Sequence, residues 1–120
     1  MGDNMPKTKI KVTIHNEEEN SDFETNAILH ENMLKYKENQ ETTVLWNYDK
    51  NSLVRENDEL RMNYVFDKNR KTEGIIHIKE LEKEIRVPII TKKIERKNND
   101  IEIEFEIDKK DFLYKVEEIK

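Results

Sequence analysis

The chain has 120 residues and a mass of 14.6 kDa, enough for one domain around one hydrophobic core. Only 34% of residues are hydrophobic against 41% charged, yet the apolar residues recur with a strict period, which argues against disorder. A formal charge of −5 argues against a protein built on a dominant basic nucleic-acid face, and the lack of cysteine excludes disulfides and thiolate chemistry. No segment has signal-peptide character or approaches the roughly 18 apolar residues of a membrane span, so a cytoplasmic protein with no membrane partner is expected.

In chain order, residues 9–16 place Ile10, Val12 and Ile14 on one face and Lys9, Lys11, Thr13 and His15 on the other, the alternation of a half-buried strand. Residues 1–7 before it are expected to form a flexible N-terminus. After an acidic turn, residues 23–29 alternate through Phe23, Thr25, Ala27 and Leu29 and complete a hairpin. Residues 33–37 form a short third strand. Residues 42–48 form a fourth, with Val44, Trp46 and Tyr48 on one side. Residues 52–56 lead into Asn57-Asp58, a pair suited to a tight left-handed hairpin turn, and Leu60, Met62, Tyr64 and Phe66 alternate beyond it. Residues 72–79 are isoleucine-rich, with Gly74 as a bulge or a point of close approach.

The clearest strand is I-E-I-E-F-E-I at residues 101–107. It serves as a ruler for its neighbours. A turn at Asn98-Asn99 pairs Ile94 with Ile103, Lys92 with Phe105 and Ile90 with Ile107. A loop over residues 108–111 pairs Ile107 with Phe112, Phe105 with Tyr114 and Ile103 with Val116. The last segment is therefore read as a strand, although Phe112, Leu113, Val116 and Ile119 also fit an amphipathic helix. Residues 81–85 can likewise be written as a helical turn. Val87 and Ile89 differ in parity from Ile90 and Ile94, which predicts a bulge near Ile89-Ile90, beside Pro88. On the wet face the same register sets Glu104 between Lys93 and Lys115 and aligns Glu95, Glu102 and Glu117. Turn signals every eight to twelve residues indicate an antiparallel sandwich or barrel.

The stretch Leu53-Val54-Arg55 to Leu60-Arg61-Met62 and on to Phe66, preceded by Tyr36-Lys37-Glu38 and Thr43-Val44, resembles the YwiB-like bacterial proteins of unknown function. That resemblance implies a calycin-type, lipocalin-like, up-and-down barrel of about eight to ten short strands with little helix over a single domain. It matches Arg55 to the arginine before the hairpin turn and Glu38 to the acidic residue after the tyrosine of the third strand. Where the family often has glycine after that arginine, this chain has Glu56-Asn57-Asp58. The resemblance supplies no catalytic residues.

Inside a small barrel a charged side chain is informative. Arg55 and Lys92 both carry inward parity, and a buried cation needs a carboxylate or a ligand anion, with Glu38 as one protein partner. The plainer reading puts both heads in water at the rim, over apolar neighbours, and rim positions outnumber interior ones. Trp46, Tyr64 and Phe105 would line a ligand-accepting mouth if they are not simply core, the commoner role of an aromatic stripe.

The glutamate row suits a solvated face better than a Ca²⁺ site, and His15, His30 and His77 lack metal-ligand spacing, so neither metal nor cofactor is expected. No nucleophile elbow or phosphate-cradling loop is present, with Gly2 and Gly74 the only glycines. The expectation is a non-catalytic module taking a small apolar or anionic ligand. Two alternatives stay open. One is a solid barrel that homodimerises or binds a protein through an edge strand such as residues 33–37. The weaker one is RNA contact through Lys68, Arg70, Lys71, Lys92, Lys93, Arg96 and Lys97.

Overall fold

The computed structural model describes residues 7–119. Ten strands follow in order: β1 (Lys7–His15), β2 (Asn20–His30), β3 (Met33–Lys37), β4 (Thr43–Asn47), β5 (Ser52–Glu56), β6 (Leu60–Val65), β7 (Thr72–Ile78), β8 (Lys83–Lys97), β9 (Asp100–Ile107) and β10 (Lys110–Ile119). Each pairs antiparallel with the next, and β1 pairs with β10, so the sheet closes into an up-and-down barrel. No helix occurs among the described residues. The expected flexible stretch 1–7 falls outside them except for Lys7, which begins β1.

The alternation read from the sequence is the alternation of burial. Ile10, Val12 and Ile14 of β1, Leu34 and Tyr36 of β3, Val44 and Trp46 of β4, and Ile101, Ile103 and Phe105 of β9 all lie in the core. Aromatic rings fill the barrel. Trp46 lies 6.4 Å from Phe66, Phe66 4.8 Å from Phe105, and Phe105 stacks on Phe112 at 5.2 Å. At the end carrying the β4–β5 and β8–β9 connections, the Tyr48 hydroxyl donates to the Asn99 carbonyl (3.0 Å), and the Arg96 guanidinium covers the Tyr48 ring at 4.5 Å.

Several registers differ from the sequence reading, for identifiable reasons. The β9–β10 turn is the two-residue Asp108-Lys109, both left-handed (φ 52° and 68°), and it pairs Ile107 with Lys110. Phe112 therefore opposes Phe105 rather than Ile107, Tyr114 opposes Ile103, and Val116 opposes Ile101. A tight turn of this hand matches the strand twist. The β5–β6 connection is wider than the expected Asn57-Asp58 turn. The Asn57 side chain accepts from the backbone N–H groups of Glu59 (2.8 Å) and Leu60 (2.9 Å), so Arg55 pairs with Met62. Both errors are two residues long, which leaves every side chain on its predicted face.

The bulge is the larger correction. It lies between Thr91 and Lys93, not at Ile89-Ile90. Thr91 opposes Phe105, Ile90 opposes Glu106, and Lys92 is the extra residue on the outer side. Ile89 is accordingly 0% exposed and Ile90 44%. Residues 81–85 form no helical turn: Glu82, left-handed at φ 48°, turns the chain into β8. Nor is β3 an edge, since it pairs with β2 on one side and β4 on the other. The ladders do stop short elsewhere: β2 meets β3 only over residues 27–30, and the β8–β9 ladder begins at Ile90.

Candidate functional site

The barrel is solid from Trp46 and Phe66 outward and stops short of one end, the end of the β1–β2, β3–β4, β5–β6 and β9–β10 connections. A cavity of about 150 Å³ remains there, lined by Ile14, Asn16, Glu19, Arg55, Met62, Tyr64, Phe105, Ile107, Phe112 and Tyr114. Its volume is that of a cavity able to hold a single benzene-sized ring. Three of the four connections are held by one device. The side-chain oxygens of Asn16, Asn39 and Asn57 each accept two backbone N–H groups two and three residues on, at 2.8–2.9 Å. Such asparagine turns give the rim a defined shape without glycine. The asparagines are visible in the sequence; their common position at one end becomes visible only with the topology.

Arg55 is the cation of this cavity. It follows Leu53 on the inward face of β5, and on β3 the same parity carries Leu34 and Tyr36 into the core and turns Glu38 inward just past the strand end. The Glu38 backbone N–H donates to the Thr42 carbonyl (2.9 Å) and so holds that loop closed. Arg55 donates to Glu38 Oε2 from Nε (3.0 Å) and from Nη2, the closer contact. The Glu38 side chain is 8% exposed and that of Arg55 34%. Burial alone would lower the Arg55 pKa, but the hydrogen bonds and charge of Glu38 outweigh it and hold the guanidinium above its ordinary value. Glu38 Oε1 is buried and has no hydrogen-bond partner among the described residues. The carboxylate thus rests on a single neighbour.

Two tyrosines complete the floor. Burial raises the pKa of both Tyr114 and Tyr64, while the nearby Arg55 charge opposes that rise, so both remain neutral phenols. Tyr64 owes its position to Gly74, its cross-strand partner on β7: a Cβ there would lie 2.6 Å from Tyr64 Cδ1 and 2.8 Å from Cε1. Gly74 is therefore a point of close approach and not a bulge, as the unbroken β6–β7 and β7–β8 registers show.

The remaining predicted residues are placed differently. Phe105 lines the cavity from below. Trp46 lies deeper, fully buried, with its indole N–H donating to the Tyr36 hydroxyl (3.3 Å), and it is not part of the cavity wall. Lys92, put outside by the bulge, binds Asp111 (2.5 Å) and Glu106 (3.3 Å) on the outer face and does not face Phe105.

On that face Lys115 is opposite Glu102, and Lys93 Nζ holds Glu102 (2.8 Å) and Glu95 (3.0 Å) together. Lys93 is opposite Glu104 and Glu95 opposite Glu102, as predicted, whereas Lys115 shifts from Glu104 to Glu102. Among the described residues no group of three His, Asp or Glu stands where it would hold a metal ion. Larger depressions exist on the outside. The largest, of about 660 Å³, lies where the β2–β3 ladder ends, beside Lys7, Ile28, Lys35 and Lys37.

No family model matches this chain, and no curated protein matches it. Among solved structures it is similar to the crystal structure of ywiB protein from Bacillus subtilis, with a TM-score of 0.56 and 14% sequence identity over 95% of this chain and 94% of that one. The fold is YwiB-like. At that identity the likeness extends to the barrel and not to any site residue.

Proposed function

We propose that this barrel is a non-catalytic, calycin-like cytoplasmic module that binds a small molecule in the cavity beside Arg55. One observation carries the reading: a close-packed aromatic core ends below the rim and leaves a cavity whose apolar wall is interrupted by a guanidinium edge. Recognition sites for small molecules commonly combine apolar walls with a few placed polar groups. The outer face argues for a protein that works in water, since it carries ion pairs such as Lys9–Glu24, Lys93–Glu102 and Arg86–Glu73 where a membrane barrel needs an apolar band. No helix of the described residues is long and apolar enough to cross a membrane.

The test is uptake of ring-sized probes. Native mass spectrometry and calorimetry with phenol, benzyl alcohol and benzamide should give one molecule per chain at about −4 to −6 kcal/mol, a millimolar to tens-of-micromolar dissociation constant. Arg55→Gln should weaken the polar probes, and Met62→Trp, which fills the cavity, should abolish uptake. Equal behaviour of wild type and Met62→Trp would refute the reading.

A second reading has its own observation. Ile28, Met33 and Val65 are exposed, and parts of β2 and β8 have no partner strand on one side; together they would serve a homodimer or protein contact. Light scattering across a concentration series distinguishes it, because a mass constant at 14.6 kDa removes the homodimer. RNA contact has the least support: Lys92, Lys93 and Arg70 are already engaged by carboxylates.

A further inference from the structure

The strand face that carries Met62 and Tyr64 into the cavity runs on past the barrel. Beyond the β9–β10 turn, β6, β7 and the first part of β8 run on as an arm: Leu60 pairs with Ile78, Met62 with Ile76, Ile76 with Ile85, and Gly74 with Val87. Cross-strand partners share a face, and Met62 and Tyr64 line the cavity, so Leu60, Ile76, Ile78, Ile85 and Val87 present the same face past the rim. None of the five is buried, and Ile85 is 44% exposed. The arm's outer side carries Arg61, Asn63, His77, Glu84 and Arg86 around a single isoleucine, Ile75, and at its tip Lys83 shares the inner face opposite Ile78. The five inner-side apolar residues lie outside the core cluster.

The charges at the cavity also select. Arg55 is neutralised by Glu38, and Glu19 adds a carboxylate to the lining. A ligand anion would meet two carboxylates for one guanidinium, a repulsion that an uncharged head group escapes while still accepting from the guanidinium. Glu38 takes Arg55 Nε and Nη2 and leaves Nη1 to a ligand, and Tyr114 lines the same cavity. A volume of about 150 Å³ holds a head group and a few carbons, not a whole long molecule. From the Gly74 row to the Ile78 row the arm adds about 13 Å of apolar surface at roughly 3.3 Å per residue.

We infer that the ligand is a chain-shaped, uncharged amphiphile, a long-chain alcohol, amide or ester, whose polar end accepts from Arg55 and whose tail lies along the β6–β8 arm. This rests on the cavity being a binding site and replaces the anionic ligand expected from Arg55 alone. Titration of the full chain with 1-hexanol, 1-octanol, 1-decanol and decanoate, followed by calorimetry, tests it. Affinity should tighten about two- to fourfold per added methylene. Decanol should bind at least tenfold more tightly than decanoate at neutral pH.

Ile85→Asp, at an exposed position, and the milder Ile78→Thr should both flatten the dependence on chain length. Binding of benzyl alcohol with no chain-length dependence overturns the tail while leaving the cavity reading intact. Decanoate binding as tightly as decanol overturns the uncharged head. A dimer that Ile85→Asp dissociates assigns the arm to a second copy of the chain and overturns the proposal. Failure of every probe, ring or chain, sinks the cavity reading itself.

Discussion

At the scale of single residues, Arg55 and Glu38 decide the character of the open end. Their juxtaposition is legible in the sequence because it depends only on parity: each sits two residues beyond a core apolar residue on its own side of β4, and a two-residue error in a turn does not change that. The energetic consequence follows from their unequal burial. Glu38→Gln removes the charge that balances Arg55, but Arg55 keeps a third of its side chain in water and can rehydrate. The expected loss is about 1–2 kcal/mol in urea unfolding, below the roughly 3–5 kcal/mol typical when one member of a fully buried pair is removed. The double variant Glu38→Leu, Arg55→Met should recover most of that loss, since it removes both desolvated groups. A double variant less stable than Glu38→Gln would mean that the pair contributes more than its partners' mutual compensation. Lys92 was not legible in the same way. Its parity depends on where a bulge falls, and one inserted residue is enough to move a side chain from the interior to solvent.

At the scale of elements, faces were readable and registers only in part. The strand ruler at residues 101–107 correctly places Tyr114 and Val116 inside, and the Asn98-Asn99 turn gives the observed pairing of Ile94 with Ile103, yet the β5–β6 and β9–β10 hairpins each slid by two. Asp108-Lys109 and Asn57 both admit more than one turn length, and the chain has few glycines to mark left-handed positions. In β8 the apolar run Val87, Ile89, Ile90 offers two possible faces. The structure chooses Ile89 because the bulge is delayed to Lys92, which also keeps Thr91 inside, where its hydroxyl accepts from the Asp67 backbone N–H (3.2 Å). This choice can be checked directly. Ile90→Lys should change stability by no more than about 0.5 kcal/mol, while Ile89→Lys should cost more than about 4 kcal/mol or prevent folding. Chemical denaturation of the two variants separates them, and the reverse order would place the bulge at Ile89-Ile90. The cavity itself was not legible, because alternation shows which side chains face inward but not whether their volumes fill the space.

At the scale of the whole molecule, charge and closure work together. The outer ion pairs are each worth about 0–1 kcal/mol, too little to hold the barrel. Their value lies in a surface that offers other chains little apolar area to join. What holds the barrel is the ladder between its first and last strands, which brings Lys9 opposite Ile119 and so sets the two ends of the described chain side by side. A circular permutant that joins the ends through a short flexible linker and opens at Asn98-Asn99 should fold to the same barrel, because that turn is at the surface and both flanking strands keep their other neighbours. Near-ultraviolet circular dichroism of the lone Trp46 reports its packing. Loss of that signal would show that the β8–β9 turn has to be intact for the barrel to form.

The same closure sets the order in which the molecule is completed as it is made. β1 leaves the ribosome before the strands that follow it, and one of its two sides has to wait for β10, nine strands later. Until β10 is made, the nascent sheet is an open ribbon with Ile10, Val12 and Ile14 at one border and no partner for the amides on that side of β1. The acidic and basic side chains that alternate along β1 and β2 therefore matter most before the native state exists, as guards of an edge that disappears when β10 arrives.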